Sequence, residues 1–374
     1  MGALLDRYFV PARVAPRTPA ALRSVARSLV ASYRHEDVAA LPSAVGIDVS
    51  DACNIACTVC SREIAWDKRE SPFLKLDDFR RIYDPIVPPY LSLSGYGETT
   101  LNKDLPAIVA HATRAGSRVN VVSNGTLLDD RKTRQLVDAG LAKLKVSMDG
   151  AEAHAYEAHR AGARFEKVVH NVERLVAMRD ALRLPAPIVE IQMVIFRDNV
   201  DQVTPMIELC ARRLPGVEPN FLVMFTYGEQ PGFVEKTLPA DDAASIAALR
   251  EALAIAERHG FRRTRGSLES AIRQLTTDLS SAPCYIPWYS CIVSTDGEVY
   301  PCCYHSVRGT SVGNALTTPF PEVWNGERMR AFRRALRARR CDDRVCATCR
   351  YEDAPMERVF GVAARVPGLG ALRR

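Results

Sequence analysis

The sequence predicts an α/β protein: an open six-stranded α/β barrel, followed by a small cysteine-rich module. Three observations carry this. From Ala44 to about Phe225, short apolar runs alternate with longer helical patterns, the signature of βα units around a mostly parallel sheet. A tight group of cysteines follows the first run, just past the carboxyl end of a strand, where α/β folds keep their active sites. A second field of cysteines starts at Cys284, after a purely helical stretch, and brackets a β-hairpin signal.

Taken in order, the chain opens with a helical extension over 1–43. Thr18 is a candidate cap, Pro19 stands in the first turn, and Leu22, Val25, Ala26, Leu29, Val30 and Tyr33 share one face, so packing is its expected role. The barrel follows over 44–226, with strands at 45–49, 90–93, 119–123, 143–147, 188–196 and 218–225. Helices between them fall at 76–83, 105–115, 130–139, 165–183 and 199–213. A helical bridge spans 227–282, including a helix at 243–258 stopped by Gly260. The cysteine module occupies 283–352 and a tail runs over 353–374.

Bulk composition excludes several classes. Of 374 residues, 47% are hydrophobic and 25% charged, ordinary for a globular chain, and no apolar stretch reaches a membrane span. The start lacks a secretory signal, and Asp6 stands where a myristoylation motif wants Ser or Thr, so a cytoplasmic protein without a membrane partner is expected. A net charge of +6 permits an anionic substrate but leaves no nucleic-acid footprint. Eleven cysteines in a chain this large, clustered as they are, read as metal binding rather than as a disulfide framework.

Cys53-Asn54-Ile55-Ala56-Cys57-Thr58-Val59-Cys60 is the densest chemistry in the chain. Three thiols at these spacings surround one small concavity, which suits a soft metal or an iron–sulfur cluster. A structural zinc wants four ligands, and no fourth Cys or His lies near in sequence. Buried, unreactive cysteines do not usually stand three together in a polar loop.

Three later strand ends are also suggestive. Ser94-Gly95-Tyr96-Gly97-Glu98 reads as a glycine turn whose carboxylate either is solvated or accepts from an ammonium group. Ser123-Asn124-Gly125-Thr126 is another turn, and Val146-Ser147-Met148-Asp149-Gly150 is followed by Arg160, a hydroxyl and a guanidinium able to hold a carboxylate or ribose. Asp149 reads on its own as a cap of the next helix. Gln192 and Asn220 are polar strand residues that face either a cavity or the outer helices.

The CxxxCxxC loop resembles that of the radical S-adenosylmethionine (SAM) enzymes. The resemblance implies a partial (β/α)6 barrel in which Cys53, Cys57 and Cys60 hold a [4Fe-4S] cluster with one iron open to SAM. It implies electron delivery by an external donor such as flavodoxin or ferredoxin, and reductive cleavage of SAM to a 5′-deoxyadenosyl radical. Gly97-Glu98 is similar to the family's GGE-type motif for the SAM amino group, with Tyr96 a departure from glycine. Ser123, Ser147 and Arg160 stand where the family contacts SAM.

In the second field, a hairpin around Asp296-Gly297 would bring Cys284 and Cys302 together, and Cys346-Ala347-Thr348-Cys349 adds two sulfurs at chelating spacing. Four such ligands close either a Cys₄ zinc site or a fully ligated cluster. This region resembles the SPASM/Twitch extension of the same superfamily. That resemblance implies one auxiliary [4Fe-4S] cluster on Cys284, Cys302, Cys346 and Cys349, similar to BtrN-like members, with Cys341 a substitute ligand. Cys210 reads as core. Cys303 and Cys291 are candidates for giving a hydrogen atom to a substrate radical, against the plainer role of small buried hydrophobes. The arginine run over 327–340 reads as a solvated face.

Segment 1–43 is shorter than the leader-peptide reader of many peptide-modifying relatives in that superfamily, which turns the expectation toward a small-molecule, carbohydrate-type substrate. The expected activity is epimerisation of a sugar or aminocyclitol in natural-product biosynthesis. Dehydrogenation through the auxiliary cluster and peptide modification are the alternatives.

Overall fold

The structure, a computed structural model, describes residues 18–60, 62, 72–224, 232–279, 282–338 and 344–349. Strands β1 (Ala44–Asp48), β2 (Tyr90–Ser94), β3 (Arg118–Ser123), β4 (Lys143–Ser147), β5 (Ile188–Ile195) and β6 (Glu218–Val223) lie side by side in chain order, all parallel. After α1 (Pro19–Arg34), the return paths run through α2 (Leu76–Tyr83), α3 (Leu105–Arg114), α4 (Asp130–Asp138), α5 (Phe165–Ala181) and α6 (Val203–Arg213). The bridge is a helical pair, α7 (Ala243–Arg258) and α8 (Arg262–Thr276).

Strand alternation sorts the sheet into two faces. Val45, Ile47, Leu91, Leu93, Val119, Val121, Leu144, Val146, Val189 and Ile191 point to the helices and are at most 2% exposed. Each such side chain contributes about 1.5–3 kcal/mol by leaving water. The other face is polar and only partly buried, with Ser92, Ser94, Lys145, Ser147, Gln192 and Asn220 in register across the strands. It is the lumen of the open barrel. A one-residue slip would exchange the two faces, so the alternation also fixes the register.

The cysteine module continues this sheet. β7 (Ser290–Val293) pairs parallel with β1, Cys291 opposite Val45, and β8 (Glu298–Tyr300) and β9 (Gly313–Asn314) follow antiparallel. The full order is β9-β8-β7-β1-β2-β3-β4-β5-β6. The hairpin forms as expected, and the sheet continues from the barrel strands into the module that was expected to begin at 283.

The N-terminal helix does cap on Thr18, whose Oγ1 accepts from Ala21 N at 3.2 Å. The segment after it is clamped by the C-terminal module. Trp288 Nε1 donates to Glu36 O at 2.7 Å and Trp324 Nε1 to Ala40 O at 2.8 Å. Arg333, on α9 (Glu327–Arg337), is fully buried, donating to Asp37 O at 3.0 Å and Pro287 O at 2.9 Å with its guanidinium 4.4 Å above the Trp324 ring. The arginine run is therefore not wholly a solvated face. Arg330 and Arg334 pair with Glu327 outside, Arg333 points in, and Arg339 and Arg340 lie outside the described residues.

Candidate active site and cluster-binding loops

The loop leaving β1 carries Cys53, Cys57 and Cys60, each half-buried. Ala56–Cys57 forms a short antiparallel ladder with Arg160–Ala161, which sets Cys57 directly across from Arg160. Cys60 N then closes a turn on Cys57 O at 3.2 Å. Burial pushes the Cys57 thiol up to about 12, against the pull of the Arg160 charge. A thiol in such a place ionises readily only when a metal supplies the compensating charge.

The glycine turn after β2 is laced onto this loop. Gly97 N donates to Ser50 O at 2.9 Å and Glu98 N to Ala52 O at 2.7 Å. A Cβ on Gly97 would stand 2.1 Å from Ala52 O, which is why glycine is needed there. Glu98 is the residue expected to accept from an ammonium group. Its carboxylate, 2% exposed, already accepts from Thr100 N, Thr100 Oγ1, Ser123 Oγ at 2.7 Å and Asn124 N at 2.6 Å. Ser123 likewise turns inward, its Oγ also accepting from Gly125 N at 3.0 Å. Glu98 and Ser123 thus pin the β2 and β3 turns together beneath the cysteine loop.

Asn124 completes the pin. Its Nδ2 donates to Asn54 Oδ1 at 3.0 Å and lies 3.9 Å from Cys53 Sγ. Asp149 does not cap the next helix, whose N-cap is Glu152. It accepts from Val194 N at 3.1 Å and forms a buried ion pair with Arg160 at 2.7 Å. Arg160 Nε and the Tyr156 hydroxyl, also buried, have no hydrogen-bond partner among the described residues. Ser147 opens onto the lumen beside Gln192 and Asn220, so both strand amides join its row. Deeper in the lumen, Lys143 and Glu190 form a 2.7 Å ion pair, each 4% exposed, with Lys145 4.0 Å from the same carboxylate. Burial lowers the Lys143 ammonium to about 8 despite Glu190.

The second cysteine field flanks the β7–β8 hairpin, with Cys284 before it and Cys302 and Cys303 after it. Cys284 and Cys302 share an apolar cluster with Tyr33, Tyr285 and Tyr289. Cys349 N closes a turn on Cys346 O, and Cys346 Sγ stands 3.5 Å from Nε2 of the buried His305. Cys303 is exposed, yet burial followed by the charge of Cys349 pushes its thiol up to about 12. Its turn is tied to the glycine loop, since Ser306 Oγ donates to Cys303 O at 2.8 Å and meets the Tyr96 hydroxyl at 2.9 Å. Cys291 and Cys210 are fully buried in the main core, and Cys341 lies outside the described residues. A separate cavity of about 390 Å³, lined by Thr100, Arg131, Lys132 and Gln135, belongs to the helix side rather than to the lumen.

Sequence reasoning passed over the roles of Asn54, Asn124, Tyr156 and His305. Asn54 and Asn124 had a signal, being amides inside or beside ligand loops; Tyr156 and His305 had none.

Both loops fit iron–sulfur clusters. The donors are soft thiols, three on the loop after β1 and four across the second cysteine field. A cluster spreads its ligands over several irons, which suits such a spacing better than zinc does. Arg160 Nε, buried and without a partner beside Ser147's strand end, suits the carboxylate of SAM.

Fold and site together define a cluster-binding α/β barrel enzyme with an auxiliary-cluster module. Residues 47–210 match the family model for the radical SAM superfamily, and residues 284–350 match SPASM, an iron–sulfur cluster-binding domain. The chain belongs to the radical SAM superfamily and carries a C-terminal SPASM domain. Its cofactors are SAM, the SAM-binding [4Fe-4S] cluster and an auxiliary iron–sulfur cluster. Among its relatives are an AdoMet-dependent heme synthase of Methanosarcina barkeri, 28% identical over 83% of this chain and 91% of that one, and a PqqA peptide cyclase of Streptomyces rochei, 28% identical over 77% and 76%. Streptococcus suis SuiB bound to S-adenosylmethionine has the same fold, with a TM-score of 0.61 at 15% identity over 88% of this chain and 77% of that one. So does anSMEcpe with bound AdoMet, at 0.58 and 17% over 82% and 88%. No described helix is long and apolar enough to cross a membrane.

Proposed function

We propose that this enzyme removes a hydrogen atom from a substrate held in the lumen and that Cys303 gives one back from another side, so that the net reaction is an epimerisation. Cys53, Cys57 and Cys60 would hold the first cluster, and Cys284, Cys302, Cys346 and Cys349 the auxiliary one. When bound, the first cluster and SAM supply the 5′-deoxyadenosyl radical. The chain does the rest: Arg160, with Ser147 beside it, orients the SAM carboxylate, and Asp149 holds Arg160 in place.

The observation that supports the reading is that Cys303 is exposed and that its turn is tied through Ser306 to Tyr96, in the glycine loop at the carboxyl end of β2. Its S–H bond is weaker than an alkyl C–H, so transfer to a carbon radical runs downhill. The C–H bond forms, the S–H bond breaks, and the thiyl left behind regains one electron from the external reductant and one proton from water. A polar lumen with serine, asparagine, glutamine and lysine side chains suits a hydroxylated substrate such as a sugar or aminocyclitol.

A second reading is that the auxiliary cluster accepts an electron and the substrate is oxidised. Their names concern a heme synthase and a peptide cyclase, which brings a peptide or heme-type substrate into consideration. Anaerobic turnover in heavy water with SAM, a reductant and candidate sugars, aminoglycosides and peptides separates the two. Product one mass unit heavier with deuterium on carbon supports hydrogen return; product two units lighter refutes it in favour of oxidation.

A further inference from the structure

Asn124 is held in one orientation from three sides. Its backbone N–H donates to Glu98 Oε2 at 2.6 Å. Its Oδ1 accepts from both Thr126 N at 3.0 Å and Thr126 Oγ1 at 2.7 Å. The oxygen end of the amide is thereby identified by two donors, and the nitrogen end must point the other way. There it meets Asn54 Oδ1 at 3.0 Å and Cys53 Sγ at 3.9 Å. Asn54 is fixed in turn, its Nδ2 donating to Thr126 Oγ1 at 2.8 Å. Asn124 itself is 6% exposed, so water does not compete freely for its amide.

One N–H is satisfied by Asn54. The second faces the sulfur, a weak acceptor as a thiol and a much better one as a metal-bound thiolate. Hydrogen bonds to ligand sulfurs withdraw electron density and stabilise the more electron-rich, reduced state of a cluster. We propose that the Asn124 carboxamide donates an N–H···S hydrogen bond to Cys53 and raises the reduction potential of the SAM-binding cluster that Cys53 would hold. Asn124 is a positioning residue in this scheme: it touches a ligand and not the substrate. The effect is independent of whether the substrate is epimerised or oxidised.

The test is a potentiometric titration of the full, anaerobically reconstituted chain, followed by electron paramagnetic resonance on the part of the reduced signal that SAM perturbs. In Asn124→Leu the midpoint moves to lower potential at unchanged iron content. Thr126→Val disturbs the same turn but leaves Thr126 N–H on Asn124 Oδ1, so its midpoint stays at the wild-type value. An unmoved midpoint in Asn124→Leu, or an equal shift in Thr126→Val, overturns the proposal. A second measurement needs no variant. Wild-type enzyme grown with asparagine labelled by ¹⁵N in the side-chain amide gives a ¹⁵N coupling to the reduced cluster; absence of that coupling overturns the proposal even if Asn124→Leu fails to load iron.

Discussion

At the scale of single residues, the carboxylate of Glu98 and the thiol of Cys303 do different kinds of work. Glu98 is a buried acceptor with four donors around it, so removing its charge is felt by the fold as well as by the site. Glu98→Gln places an amide nitrogen against at least one N–H or O–H. With hydrogen bonds to a buried charge contributing about 1.5–3 kcal/mol each, the variant is expected to lose about 2 kcal/mol of stability in a urea melt, and SAM affinity with it. Had the carboxylate been reserved for an ammonium group, affinity would fall with stability unchanged. Cys303→Ala is expected to do the reverse. Iron content, SAM cleavage and stability hold, while deuterium incorporation into product falls at least tenfold; a loss of iron instead would make Cys303 a cluster ligand.

At the scale of elements, β4 and β5 illustrate what a sequence reveals and what it hides. Lys143-Leu144-Lys145-Val146-Ser147 alternates strictly, and that alternation already encodes a polar lumen face and an apolar helix face. The cysteine spacing was equally legible, because chelation by one short loop is a local property. Pairing between elements was not. Nothing in Lys143 or Glu190 announces that they meet at 2.7 Å from adjacent strands, or that Asp149 turns to Arg160 instead of capping a helix. The parallel addition of β7 beside β1 was hidden for the same reason, being a contact between segments more than 240 residues apart. The Lys143–Glu190 pair yields its own prediction. Lys143→Met strands a buried carboxylate and is expected to cost about 3–5 kcal/mol, whereas Lys143→Met with Glu190→Leu recovers most of it. Equal stability of the single and double variants, measured by denaturant midpoint, would refute the pairing as the cause.

At the scale of the whole molecule, the N-terminal segment, the barrel and the SPASM domain are joined by a few buried donors. Trp288, Trp324 and Arg333 all donate to backbone carbonyls of Glu36, Asp37 and Ala40, and Asn325 exchanges two hydrogen bonds with Ala39 at 3.0 and 2.9 Å. The residues flanking Cys302 pack against α1 in the same region. A charge buried as completely as that of Arg333 costs free energy unless its donors are met, and burial lowers its guanidinium to about 10. Three acceptors and the Trp324 face meet most of it, Nη2 alone having no hydrogen-bond partner among the described residues, so the arginine acts as a bolt between the N-terminal segment and the C-terminal module. Arg333→Met keeps the bulk and removes the donors. It is expected to lower stability by about 3 kcal/mol and to speed amide hydrogen exchange across 36–40 before the barrel strands respond. Arg330→Met, one turn away on the exposed side and paired with Glu327 at 2.9 Å, is expected to change stability by less than about 0.5 kcal/mol. If the two variants melt alike and exchange at 36–40 does not quicken, the bolt is not what joins the segment to the module, and the packing of α1 against the tyrosines beside Cys302 must carry that connection.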